Sequence, residues 1–154
     1  MKKLLLKILI VLLMAGVSQA KNWNAWLIGD NDSVTARLGY DVNANIEFGG
    51  ELTWLDKDSM CGTTGIYGIY KFPDAVQIPN PIPLDFLPKT LTASPYLGAQ
   101  VGIDILNRGS FVGPVAGVVI QNVLTIEWQY LGANFQFDPV DNEQRILLGL
   151  NFRF

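Results

Sequence analysis

The sequence contains no histidine and a single cysteine, Cys61. The first absence removes the general base on which Ser-His and Asp-His chemistries depend. With no imidazole and one thiol there is no nitrogen–sulfur donor set for zinc, and no internal disulfide can form. No apolar run reaches the roughly 20 residues of a membrane-spanning helix. Basic residues are few, with 11 Lys and Arg against 14 Asp and Glu. Phosphate recognition needs clustered cations, so nucleic acid is not expected as a partner. There is also no glycine-rich phosphate loop; glycines 98, 102, 113 and 117 recur within extended stretches instead. Carboxylates such as Glu47 and Glu51 could in principle do acid–base work, but a structural ion-pair network accounts for them better. The reading predicts no catalytic residue, no cofactor and no metal.

What is present begins with "MKKLLLKILIVLLMAGVSQA". Lys2 and Lys3 precede an apolar run, and Ser18-Gln19-Ala20 supplies a small-x-small cleavage site. This is the plan of a secretory signal peptide spanning 1–20. A retained N-terminal anchor is the alternative, disfavoured by Lys7 within the apolar run. Cleavage would start the mature chain near Lys21, as a single domain over 21–154 large enough for a sizeable core. Losing three lysines leaves eight basic against 14 acidic side chains.

The remainder alternates with a period of two. "SVTARLGYD" sets Val34, Ala36, Leu38 and Tyr40 against Thr35, Arg37, Gly39 and Asp41. "NIEFGGELTWL" sets Ile46, Phe48, Leu52 and Trp54 against Glu47, Gly49, Glu51 and Thr53. Such alternation is the mark of strands with two unlike faces. Further strands are read at 63–72, 96–106, 111–120, 123–135 and 145–154, with a weaker first one at 22–28. The count is eight, joined by short polar breaks rich in turn formers. The exception is 73–94, which holds five prolines and reads as unable to form ladder strands. The facing of 111–120 is open, because both its faces are apolar and Pro114 interrupts it.

Alternation fits two kinds of barrel. A soluble, lipocalin-like carrier turns its apolar face inward; a membrane barrel turns it to lipid. Large aromatics near strand ends (Trp23, Tyr40, Trp54, Tyr70, Phe72, Trp128, Tyr130 and Phe152) suit the two girdles of a bilayer-spanning sheet. The chain then ends in "RILLGLNFRF", alternating strictly to a terminal aromatic.

With these features the chain resembles the small eight-stranded outer-membrane proteins of the OmpA/OmpX type, by pattern over 22–154. The resemblance implies an all-β, eight-stranded antiparallel up-and-down transmembrane barrel in the outer membrane of a Gram-negative envelope. It further implies that Leu150, Phe152 and Phe154 form a C-terminal signal read by the barrel assembly machinery. Its partners would be outer-membrane lipid and that machinery, and the protein would be a monomer. With a periplasmic C-terminus, the external loops would be the short segments 29–32, 56–62, 107–110 and 136–142. The Pro-rich segment would lie on the periplasmic side, where such barrels have tight turns.

Eight strands enclose a space that side chains just fill, so no open channel is expected. The predicted lumen charges are Arg37, Glu47, Glu51, Asp104, Glu127 and Arg153. Closing the turn after Asp41 should bring Arg37 near Glu47 and Glu51, and closing the last hairpin should bring Glu127 near Arg153. Two functional classes remain open. One is a structural barrel of the envelope; the other is a small-ligand transport or binding barrel with 73–94 as plug or gate.

Overall fold

The computed structural model describes residues 22–31, 33–55, 61–80, 90–105, 109–133 and 143–153. Nine strands form one antiparallel sheet: β1 (Trp23–Gly29), β2 (Ser33–Asp41), β3 (Ile46–Leu55), β4 (Cys61–Lys71), β5 (Val76–Pro79), β6 (Thr90–Asp104), β7 (Gly109–Ile120), β8 (Leu124–Ala133) and β9 (Glu143–Arg153). Eight of them follow one another around a cylinder. β1 pairs with β9, and β4 pairs with β6, so the sheet closes on itself. The protein is therefore a closed, eight-stranded, up-and-down antiparallel barrel. Following the partners once around accumulates a stagger of about ten residues; such a stagger tilts the strands, and eight of them enclose an interior that side chains can fill.

Local chemistry sets the turns. Between β7 and β8, Gln121 and Asn122 both adopt positive φ (53° and 60°), and Val123 N–H closes the turn onto Ile120 O at 3.1 Å. Two left-handed residues match the right-handed twist of a hairpin, and Asn tolerates that region better than most non-glycine residues. After β2, the Asn43 side chain accepts from the backbone N–H of Asn45 and Ile46 at 2.8 and 2.9 Å. After β1, Asp30 accepts from Ser33 N–H at 2.7 Å and holds that bend.

The two faces of the wall are chemically opposite. Outward residues are apolar on strand after strand: Tyr40, Phe48, Leu52, Ile66, Leu97, Val101, Val112, Ile126, Trp128, Ile146, Leu148 and Leu150 are all exposed. The inner face carries Asn24, Thr35, Arg37, Glu47, Glu51, Gln100, Thr125, Glu127 and Gln129, all buried, interleaved with Trp26, Tyr67, Tyr96 and Leu147. On β7 the ambiguity is resolved. Phe111, Gly113, Val115 and Val119 are buried, while Val112 and Pro114 are exposed. The β7–β8 ladder skips Gly113 and Pro114, in keeping with a residue that has no N–H to donate.

Aromatic rings mark both rims on the outside. Where the chain enters and leaves the barrel, Trp23 meets Tyr40 edge-on at 5.5 Å and Tyr70 meets Phe72 at 5.4 Å. Towards the opposite rim Trp128 stacks with Tyr130 at 6.5 Å.

Two sequence expectations need correction. β6 starts at Thr90, six residues before the predicted start at 96, and 73–94 does form ladder. Val76 to Pro79 pair with Ala93 to Thr90 on the same edge of β6 that β4 occupies. β5 thus resumes the course of β4 after the break at 72–75. The prolines permit this because β5 is a short edge strand with Pro79 at its end, where no ladder N–H is lost. The described parts of 73–94 extend the wall past the rim. Predicted features at 1–20, 56–60, 81–89, 106–108, 134–142 and Phe154 lie outside the described residues.

Candidate functional site: the charged lumen

Alternation on β2 places Thr35, Arg37, Gly39 and Asp41 inward, and the antiparallel register brings Arg37 opposite Glu51. Arg37 Nε donates to Glu51 Oε2 at 2.8 Å. Its Nη1 crosses the lumen to Glu127 Oε2 on β8 at 2.6 Å, and Nη2 reaches Gln100 Oε1 on β6 at 3.3 Å. The guanidinium also lies over the Tyr67 ring, 4.8 Å from its centroid, a favourable cation–π position. One planar fork thereby ties three other strands together, a task that five fixed donors suit and an ammonium does not.

Glu127 is fully buried and receives two more donors, Tyr96 Oη at 2.6 Å and Gln129 Nε2 at 2.6 Å. Glu47, also fully buried, anchors a second cluster. It accepts from Asn24 Nδ2 (3.0 Å), Trp26 Nε1 (2.8 Å) and Tyr67 Oη (2.5 Å). Lys71 Nζ lies 2.6 Å from both Glu47 Oε2 and Asp41 Oδ1. Asp41 is flanked on its other side by Arg153 at 3.0 Å. Dense donation of this kind is what allows carboxylates to remain inside a protein.

Close packing around the clusters depends on glycine. Gly39 and Gly49 are register partners beneath Tyr67. A Cβ on Gly49 would fall 2.7 Å from both Gly39 Cα and Tyr67 Cε1. On the far wall a Cβ on Gly117 would fall 2.5 Å from the Tyr96 Cζ and Oη atoms. Tyr96 in turn meets Trp26 edge-on at 5.5 Å. These rings and the ion pairs fill the middle of the barrel.

The predicted charges fall into four places. Arg37, Glu51 and Glu127 meet at the centre. Glu47 lies inside as well, but its partners are Asn24, Trp26, Tyr67 and Lys71, whereas Arg37 turns to Glu51 and Glu127. Asp104 is buried toward the opposite rim, across from Thr63 in the β4–β6 register. The predicted Glu127–Arg153 pair is corrected. Glu127 lies opposite Leu147, six residues before Arg153, and Arg153 sits at the rim with its side chain 60 % exposed. Leu150 is outward and exposed, and Phe152 is half-exposed on the same face.

Sequence reasoning missed Asp41, Lys71, Tyr67, Tyr96, Trp26 and Gln129 as members of the network. Parity was the available signal for Tyr67, which is one residue out of step with the outward Ile66, Gly68 and Tyr70.

Chemically, the lumen is a set of ions and phenols largely paired with one another. Among the described residues the buried Gln100 Nε2, Thr125 Oγ1, Asn151 Nδ2 and Asp41 Oδ2 have no hydrogen-bond partner, Asp41 Oδ2 being left to its ion pair with Arg153. Among the described residues no group of three or more His, Cys, Asp and Glu is arranged to hold a metal ion. Comparison with family profiles, curated proteins and solved structures returns no match for this chain.

Proposed function

We propose that this protein is a small integral β-barrel of the bacterial outer membrane with a structural role in the envelope and no catalytic activity. The observation that carries the reading is the inversion of the wall. Apolar side chains cover the outside of the cylinder, while paired charges occupy the inside. A soluble carrier would need the reverse, because exposed apolar patches beyond a few hundred Å² mark interaction or membrane surfaces. A closed barrel also satisfies the backbone hydrogen bonds of its wall, the condition for crossing a bilayer with strands. The rim aromatics fit the same arrangement.

On this reading residues 1–20 are a signal peptide removed on export, and the final strand with Leu150, Phe152 and Phe154 is recognised during assembly. The filled centre favours a structural barrel over a transport barrel. The test is fractionation of cells into periplasm and outer membrane, together with gel migration in SDS before and after boiling. Recovery in the outer membrane with a heat-dependent mobility shift is the expected result. Recovery as a periplasmic protein of unchanged mobility would overturn the reading in favour of a soluble carrier.

A further inference from the structure

Among the described residues the barrel is asymmetric at one rim, where β5, the first residues of β6 and the end of β7 build an extension. β6 runs without interruption from Thr90 to Asp104, so the phase of its barrel half fixes the faces of its extension. Leu97, Val101 and Ile103 point outward; counting back by twos, Pro95, Ala93 and Leu91 share that face, Pro95 and Leu91 half-buried and the small Ala93 buried. The ladder adds Val76 opposite Ala93 and Ile78 opposite Leu91. The other face carries Gln77, Thr90, Thr92 and Ser94. At about 3.3 Å per residue, the stretch of β6 from Thr90 to Pro95, beyond its last partner on β4, measures roughly 20 Å along the strand.

No charged residue occurs in 76–79, in 90–103 or in 109–123. Edge strands that face water are normally blunted by charge, by proline or by a covering element. β5 has only Pro79. Val76 is 53 % exposed, and Phe72 and Val123 beside the extension are exposed as well. Along β6 the outward face of the extension thus continues the barrel's apolar face without a charged residue; the exposed Asp74 lies in the 72–75 connection between β4 and β5.

Resting on the membrane reading above, we propose that this extension is an interfacial wing that lies against the bilayer at the terminal rim. Val76, Ile78 and Leu91 enter the boundary between headgroups and acyl chains, and Gln77, Thr90 and Thr92 face away from the lipid. Lipid is the occupant because the face continues the surface that meets lipid on the barrel. The depth is limited by β5 itself. Its outer backbone edge is unpaired within the described sheet, and unpaired peptide groups are too costly in the hydrocarbon core. They can be hydrated at headgroup level. The wing therefore makes the apolar band taller on one side, a mismatch a barrel meets by tilting or by local thickening of the bilayer.

The test uses the chain with Cys61→Ser, refolded into phosphatidylcholine vesicles, with a nitroxide placed in turn on Ile78→Cys, Gln77→Cys and Leu97→Cys. Collisions with oxygen, which partitions into lipid, are compared with collisions with a water-soluble nickel chelate. The oxygen-to-chelate ratio should be severalfold higher at 78 than at 77, and highest at 97. Equal, low ratios at 78 and 77 with a high ratio at 97 would overturn the wing and leave the barrel reading intact. A label at 78 shielded from both reagents would overturn it in favour of a protein partner or a second copy. A low ratio at 97 would overturn the membrane reading itself.

Discussion

Arg37 on β2 and Glu127 on β8 are joined at 2.6 Å although β1 and β9 lie between their strands. The pair is a strut across the barrel, with no route along the sheet ladder. Both side chains are almost wholly removed from solvent, so its effect on stability depends on every member being present.

Arg37→Met should destabilise the barrel by about 3–5 kcal/mol, because it leaves Glu51 and Glu127 buried without their cation. Adding Glu51→Gln and Glu127→Gln should recover most of that loss, since neutral amides remove the uncompensated charge. Urea unfolding of protein refolded in detergent micelles measures both. An Arg37→Met variant as stable as the parent would mean that water reaches and screens the carboxylates.

An arginine on the outer face separates lipid from water as its surroundings. Leu148→Arg should cost about 2–4 kcal/mol near the bilayer midplane, against less than about 0.5 kcal/mol for an ordinary water-exposed site. The readout is the folded fraction in vesicles as urea is raised. Val101→Arg, on the other side of the barrel, should behave alike.

Gly117→Ala tests the packing of the far wall. The added methyl would overlap the Tyr96 phenol and displace it from Glu127, a loss of about 1–3 kcal/mol by overpacking. In a Tyr96→Leu background the same change should cost clearly less. Equal costs in the two backgrounds, measured by the same unfolding assay, would place the clash at the backbone Ile126 O, 2.7 Å from the added Cβ, and not at Tyr96.

Since Trp26, Tyr67, Tyr96 and the Arg37 cluster occupy the lumen, the protein should give no defined conductance steps in planar bilayers. Regular single-channel steps from the parent chain would favour a transport barrel.

Deleting Phe154 should lower outer-membrane yield in cells while the purified chain still refolds in detergent. Loss of one ring removes at most about 1–3 kcal/mol of burial, too little to abolish a sound barrel. Normal membrane yield without Phe154 would leave the terminal aromatic as ordinary strand packing.

The wall was legible in the sequence because a strand's two faces are a property of consecutive residues. Val34 to Tyr40 and Ile146 to Phe152 reveal their outward side at any register, and the turns at Asn43 and Gln121–Asn122 act over only a few residues. Arg37 opposite Glu51 could be anticipated for the same reason, since a short turn fixes the register of the two strands it joins. Arg37 with Glu127 could not, because which inward residues meet across the lumen depends on the stagger accumulated around the closed sheet. The Glu127–Arg153 expectation failed for a different reason: β8 and β9 are neighbours, but the nine residues 134–142 that join them do not specify a register as a short turn does, and Glu127 lies opposite Leu147, six residues before Arg153. Tertiary structure also decided the facing of β7, where both sets of side chains are apolar and only the partners on β6 and β8 set the phase. It decided, too, that the proline-rich stretch holds β5. Four residues with a terminal proline carry too little local preference to be read as a strand, and they become one where the free edge of β6 offers its backbone beyond Lys71.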